Sequence, residues 1–304
     1  MQPNEQPAGT VVSMWRYPVK SMQGEELDEA AITGRGVLGD RAYAVLDRET
    51  GHIASAKHPG KWGALLACRA AFAEPPRPSA PLPPVWITLP DGAVISSAEP
   101  DVDRALSRAL GRDVALVSRA PGSPTREADR SPVDGSTAPP TITTEPMALA
   151  APADTFFDVA ALHVLTTATL DRVRELHPSG RIEAPRFRPN LVVATAPGER
   201  SFVENAWLGR ALEIDAEVHL EVIDPCPRCV VPTLPQGDLP RDPGILRALA
   251  RHNAVASVTV APGVVFPAVA GVYATVRREG VIRCGATVRL SSSPPHGSAG
   301  LNTR

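Results

Sequence analysis

Val218-His219-Leu220-Glu221-Val222-Ile223-Asp224-Pro225-Cys226-Pro227-Arg228-Cys229-Val230-Val231 reads first as a strand and then as a loop. Its first half alternates apolar and polar side chains, the two-residue period of a half-buried strand. Its second half holds two prolines and two cysteines, and Pro232 and Pro235 follow. Proline has no N–H to donate and obstructs a helix interior, so no helix starts behind the cysteine pair. Cys229 is therefore expected at a strand end on a loop, a common place for functional side chains.

The same pattern extends outward. Thr10 to Tyr17, Arg41 to Leu46 and His52 to Ser55 are β-prone, and Val85 to Leu89 with Ala93 to Ile95 reads as a hairpin around Pro90-Asp91-Gly92. Further strands are expected at His163–Thr167, Leu191–Ala194, Leu212–Ile214, Gly271–Val276 and Ala286–Leu290. Helical spacing of apolar residues appears over Asp101–Leu110, Thr169–His177 and Gly244–His252. The stretch 119–151 is rich in Pro, Ser, Thr and Ala without periodicity and is expected to be a linker or loop. The organisation is thus a first unit over 10–118, that linker, a second unit over 152–290 and a flexible tail over 291–304. The fold class is mainly β, barrel-like, with a few short helices.

Composition agrees. The chain has 304 residues, room for two domains, and 33 prolines, which favour short elements and turns. Aromatics are 4% of residues, so the core must rest on Val, Leu, Ala and Ile. A net charge of −2 suggests neither a nucleic acid nor a membrane surface as partner. Ala254 to Val276 lacks charge, but Pro262, Gly263, Pro267 and Gly271 make it strands and turns rather than a membrane span. Met1 to Gly9 is polar, so no secretory signal is expected and the expected compartment is the cytoplasm. A disulfide framework is then not expected among the four cysteines, and Cys68 and Cys284 read as small core residues.

Four readings of the Cys226/Cys229 pair stand side by side. A structural zinc needs a second ligand pair, and the sequence has no other C-x-x-C or H-x-x-x-H. A thioredoxin-like redox pair needs a following helix, which the prolines oppose. A single thiolate can serve a soft metal centre, with Arg228 favouring the thiolate. Two buried structural cysteines are the fourth reading. Arg186-Phe187-Arg188-Pro189-Asn190 can form an anion clamp before a strand, or a solvated pair of arginines. Lys20 and Ser21 can hold a phosphate, or Lys20 is simply solvated. Leu165-Thr166-Thr167 opens a helix whose N–H groups suit an anion. Gly34 to Arg41 is glycine-rich, but its setting fits neither a P-loop nor a dinucleotide fingerprint.

Taken in order, these pieces resemble the MOSC family. They are Tyr17-Pro18-Val19-Lys20-Ser21, Gly39-Asp40-Arg41, Phe157-Asp158, Leu165-Thr166-Thr167, Arg186 to Asn190, Cys226 to Val230 and Gly280 to Gly285. The resemblance runs from Thr10 to Leu290 and is greatest to the amidoxime-reducing components and their bacterial counterparts. It implies a MOSC N-terminal β-barrel domain, a MOSC domain, and molybdenum cofactor (Mo-molybdopterin) bound between them. Cys229 would be the metal ligand and catalytic residue. Lys20, Ser21, Arg41, Thr166, Thr167, Arg188, Asn190 and Arg228 would hold the cofactor. The implied activity is reduction of small N-hydroxylated compounds, with electrons from a separate donor of ferredoxin or flavoprotein type. Sulfur transfer through a cysteine persulfide and a non-catalytic cofactor carrier are the alternatives. Pyridoxal phosphate binding goes with the family at large and with no residue here. The chain departs from the family at Pro227 and at Pro232-Thr233-Leu234-Pro235, where T-T-V-D is common.

Overall fold

The computed structural model describes residues 5–130 and 141–291. The expected tail from 292 onward and part of the expected linker, 131–140, lie outside the described residues.

Seven strands close into a barrel: β1 (Glu5–Arg16), β2 (Leu162–Thr166), β3 (Leu191–Ala194), β4 (Ala211–Ile214), β5 (Val218–Pro227), β6 (Val269–Arg278) and β7 (Thr287–Ser291). Their order is β3-β2-β6-β5-β4-β7-β1, and β1 pairs back onto β3. An odd ring cannot alternate strand direction all the way round, so at least one neighbouring pair must be parallel. That pair is β2–β3, and the other six are antiparallel. A parallel connection needs a crossover, and helix α1 (Thr167–Leu176) begins it. The Thr166 hydroxyl caps α1 by accepting from the Thr169 N–H at 3.1 Å. One helical turn, α2 (Ala184–Phe187), completes the crossover, and Arg188 ends it in the left-handed conformation, φ 54°.

The barrel is filled by the inward residues of these strands, among them Val11, Val164, Val193, Leu220, Val272 and Val288. Trp207 is the one aromatic residue in that cluster, as the aromatic-poor composition requires. Each buried Val or Leu contributes roughly 1.5–3 kcal/mol, so aliphatic packing suffices. Because β1 comes from the first unit, the start of the chain is a stave of this barrel, and Glu29–Thr33 pairs with Gly280–Arg283. The rest of the first unit has its own core around Trp62, Leu65, Ile87 and Leu106. Its expected hairpin, Val85–Thr88 with Val94–Ser96, and its helix, Val102–Leu110, are both present. Cys68 is buried there, and burial pushes its thiol up to about 11.

Three expectations are corrected. The stretch expected as linker contains a paired hairpin, Thr125–Asp129 with Ile142–Pro146. β5 runs past Ile223 to Pro227, so Cys226 is a strand residue and only Cys229 lies beyond the strand. Register shifts at Val222/Asp224 and Pro225/Pro227 admit the prolines as bulges. Cys284 is exposed at the turn after Gly280–Arg283 rather than in a core. Among the described residues no helix is long and apolar enough to cross a membrane, and 254–276 forms strands and turns as expected.

Candidate cofactor cleft

An open cleft of about 760 Å3, its mouth included, lies where the barrel meets the first unit. The first unit supplies Lys20, Ser21, Arg41, Ser55, Ala56 and Lys57. The barrel side supplies Phe157 to Ala160, His163, Arg188, Asn190, Tyr273 and Cys226 to Cys229. Seven of the nine residues expected at a site therefore meet in one place; Thr166 and Thr167 do not.

Those two are used locally. Thr166 is fully buried, caps α1, and donates to Glu204 Oε2 at 2.7 Å. The Thr167 hydroxyl accepts from the Thr195 N–H at 3.3 Å. Arg186 also leaves the expected clamp. Its buried guanidinium donates to the carbonyls of Arg181, Pro232, Leu234 and Pro240 at 2.7, 3.2, 3.4 and 2.9 Å. It thus ties α2 to the chain that follows Cys229.

Arg188, turned by its left-handed backbone, points the other way. It stacks on the Tyr17 ring with its guanidinium carbon 4.2 Å from the centroid and donates to the Met22 carbonyl at 2.6 Å. Arg41 packs 4.8 Å from the same ring and pairs with Asp40. Burial, and then Arg41, push the Arg188 pKa down to about 10. Asn190 lines the cleft, but its amide is engaged by the protein. Its Oδ1 accepts from the His163 N–H, and its Nδ2 donates to Trp15 O and Asp40 Oδ2. Asn190 therefore braces β1 against β2.

Three cations converge on Asp158: Lys20 at 2.7 Å, Arg126 at 2.8 Å and Lys57 at 3.1 Å. Burial alone would raise that carboxyl, but Arg126, Lys20 and Lys57 hold it well below the usual carboxylate range. Burial lowers Lys20 to about 8, with Asp158 opposing the shift. Ser21, at φ 65°, accepts from the Ala56 N–H at 3.1 Å.

The two cysteines have different surroundings. Cys226 is buried, and its sulfur accepts from Arg228 Nη1 at 2.8 Å. Arg228 Nη2 donates to the Phe187 carbonyl at 2.7 Å. Burial works against its charge, but Cys226 and Tyr273 beside it raise its pKa overall. Cys229 is half-buried against Ala56, Leu66, Val231 and Leu234. A 3-10 turn, Val231–Thr233, follows it with Pro232 in its first positions, so no redox-type helix stands there. Among the described residues no group of three or more His, Cys, Asp and Glu is placed to hold a metal, whereas a structural zinc at this pair would need two further ligands.

His163, Tyr273, Lys57 and Asp158 are cleft residues that sequence motifs did not single out as site residues. His163 sits beneath Gly271, where a Cβ would meet its Nε2 at 2.2 Å; Gly271 has φ 82°. Burial, and then Arg228, push His163 down to about 3, so the ring is neutral.

Two buried donors in this wall, Arg188 Nη2 and Arg228 Nε, have no hydrogen-bond partner. A buried donor without a partner is costly, and two such guanidinium donors in one cleft wall fit an anionic ligand.

Residues 153–289 match the family model of the MOSC domain, and residues 8–64 match that of the MOSC N-terminal beta barrel domain. The chain belongs to the MOSC family. No curated protein matches it. Among solved structures, this MOSC protein is similar to the YUAD protein from Bacillus subtilis, at 13% identity, 95% coverage of this chain, 98% of that chain and a TM-score of 0.40. YiiM from Geobacillus stearothermophilus matches at 20% identity over 43% of this chain and 53% of its own, with a TM-score of 0.28. MOSC domains are associated with molybdenum-cofactor-binding proteins.

Proposed function

We propose that the cleft binds the molybdenum cofactor with Cys229 as its thiolate ligand, and that the protein reduces N-oxygenated compounds. The observation that carries this reading is the pair of buried, unpartnered guanidinium donors on Arg188 and Arg228, in a cleft that a half-buried cysteine also lines. Guanidinium forks suit phosphate, oxo and thiolate acceptors. Lys20, Ser21 and Lys57 would hold the phosphate end, and Arg41, Arg188 and Arg228 the pterin and its sulfurs.

The chemistry a molybdenum pterin supplies when bound is two-electron reduction with acceptance of an oxygen atom. In the net reaction an N–O bond breaks, two electrons and two protons are consumed, and water leaves. The electrons come from a separate redox partner of ferredoxin or flavoprotein type. The chain's own residues bind and orient. Neutral His163 adds no charge to an already cationic wall. Arg228 is held by the Cys226 sulfur and the Phe187 carbonyl, and so keeps a fixed direction toward the cleft.

The test is molybdenum content and turnover of a simple amidoxime with a reduced viologen, on protein made in a cofactor-producing host. Near-stoichiometric molybdenum with amidine formation is expected. Full molybdenum without N–O reduction would overturn the reductase reading. Molybdenum-free folded protein carrying labile sulfur would overturn the cofactor reading in favour of sulfur transfer.

A further inference from the structure

Ala254 to Val276, the uncharged stretch of the sequence, begins with a hairpin. Val255–Ala256 pairs with Val265–Phe266, and Ser257 to Val264 form the loop between them. Val258, Val264 and Val265 are 52, 51 and 58% exposed, and Pro262 and Pro267 are exposed on the same segment. Large apolar side chains gathered on one exposed loop mark an interaction surface.

The loop is tied down from within. The buried Asp224 carboxylate accepts from Ser257 Oγ at 2.8 Å, Val258 N at 2.6 Å and Thr259 N at 3.1 Å. Thr259 Oγ1 donates to the Ile223 carbonyl at 2.8 Å, and Ala261 N to Ser257 Oγ at 2.8 Å. The backbone is fixed while the valines stay in water, so docking here orders little chain.

Charge and position select the occupant. Helix Gly244–His252 joins the hairpin through Asn253, whose N–H donates to the Leu249 carbonyl and whose Nδ2 donates to the Val269 carbonyl. Arg247 and Arg251, four residues apart, share one face of that helix; both are exposed, as is His252. Among the described residues neither guanidinium has an ion-pair partner, and no Asp or Glu occurs from Pro243 to Val276. The hairpin also stands on the strands of the cleft wall, β5 and β6. Asp224 lies opposite Tyr273 and two residues before Cys226, and Ala268, next to exposed Pro267, accepts the Arg228 N–H at 2.7 Å.

Resting on the reductase reading above, we propose that the hairpin and the Arg247/Arg251 face dock the electron donor, a small protein with carboxylates around an apolar centre. A small apolar patch with a charged rim suits the brief, low-area encounters of electron transfer. A lipid surface fits it less well, since the loop has no Trp or Tyr and the flank only two arginines. Two molecules of a one-electron donor are oxidised for each N–O bond reduced, with two protons taken up and water released.

The experiment uses the molybdenum-loaded protein with an acidic plant-type ferredoxin, kept reduced by its reductase and NADPH, and with reduced viologen, which needs no dock. The wild type, Arg247→Glu/Arg251→Glu and Val264→Ser/Val265→Ser are compared, with Arg104→Glu on the helix Val102–Leu110 as control. Both double variants should raise the KM for ferredoxin by about tenfold or more, at unchanged molybdenum content and viologen turnover, and Arg104→Glu should not. The wild-type KM should rise with salt, and the arginine variant should lose most of that dependence. Calorimetric binding of ferredoxin to the same proteins reads the dock without any substrate. Unchanged ferredoxin KM in both double variants, an equal effect of Arg104→Glu, or no ferredoxin binding by a wild type that viologen reduces overturns the proposal. Wild-type sedimentation with phosphatidylglycerol vesicles, lost in Val264→Ser/Val265→Ser while the ferredoxin KM holds, would overturn it in favour of a lipid surface. No turnover even with viologen would instead fault the reductase reading.

Discussion

Arg186→Ala is expected to loosen the chain that follows Cys229 before anything else in the protein. The buried guanidinium serves four carbonyls, on Arg181, Pro232, Leu234 and Pro240. Among the described residues no carboxylate lies within ion-pair distance of it, and burial lowers its pKa. Its removal leaves four acceptors without that donor. Each buried unsatisfied group costs about 1 kcal/mol or more, so the loss is about 4 kcal/mol if no water enters. Water can reach the Pro240 side, so about 3 kcal/mol is the working expectation. That is a large share of a typical stability of about 5–15 kcal/mol. Urea unfolding measures the total. Hydrogen exchange of the Gln236 and Leu239 amides, which pair with each other's carbonyls, reads the local part. Arg186→Lys should recover a fraction, since an ammonium cannot span all four carbonyls. A loss below about 1 kcal/mol, with exchange at Gln236 and Leu239 unchanged, would refute the clamp.

Other outcomes follow from the same contacts. Lys20, lowered to about 8, is charged below that pH and neutral above it. Phosphate affinity by calorimetry should therefore fall as pH rises through this value, by roughly tenfold between about pH 7.5 and about pH 9.5. Arg at position 20 does not titrate there and should flatten the profile; an identical slope in Lys20→Arg would contradict the assignment. Thr166→Val removes the α1 cap and the donor to Glu204. It should cost about 2 kcal/mol in thermal or chemical unfolding while molybdenum content holds. Loss of metal at unchanged stability would return Thr166 to the ligand set. Gly271→Ala must place a Cβ 2.2 Å from His163 Nε2 and 2.7 Å from Val164 O at positive φ. Destabilisation by about 3 kcal/mol or more is expected, and near-neutral unfolding would contradict the packing of β6 on β2.

What the sequence revealed and what it hid have physical reasons. The alternation in Val218–Ile223 and Leu191–Ala194 reports burial on one face, and both are barrel strands. The hairpin at 125–146 gives no such signal, because ion pairs and backbone bonds dock it rather than a stripe of Val and Leu. Thr166 was misread because hydroxyl residues at a helix start serve equally as caps and as anion ligands. Arg186 and Arg188 look alike in sequence; the left-handed φ at Arg188 sends one to the carbonyls and the other to the cleft. His163, Asp158 and Lys57 meet in one cleft only because the first unit packs against the barrel. The place of Cys229 just past a strand was legible, because the alternation of Val218–Ile223 runs into a proline-rich stretch. Its distinction from Cys226 needed β5 to be seen ending at Pro227.

The most direct measurement is the molybdenum-to-protein ratio of the wild type, Cys229→Ser and Cys226→Ser, purified from one cofactor-producing host. Cys229 lines the cleft half-buried, whereas Cys226 is buried against Arg228. The expected result is near-stoichiometric metal in the wild type and Cys226→Ser, with nearly none in folded Cys229→Ser. Equal loss in both variants, or full metal in Cys229→Ser, would contradict the assignment of Cys229 as the ligand.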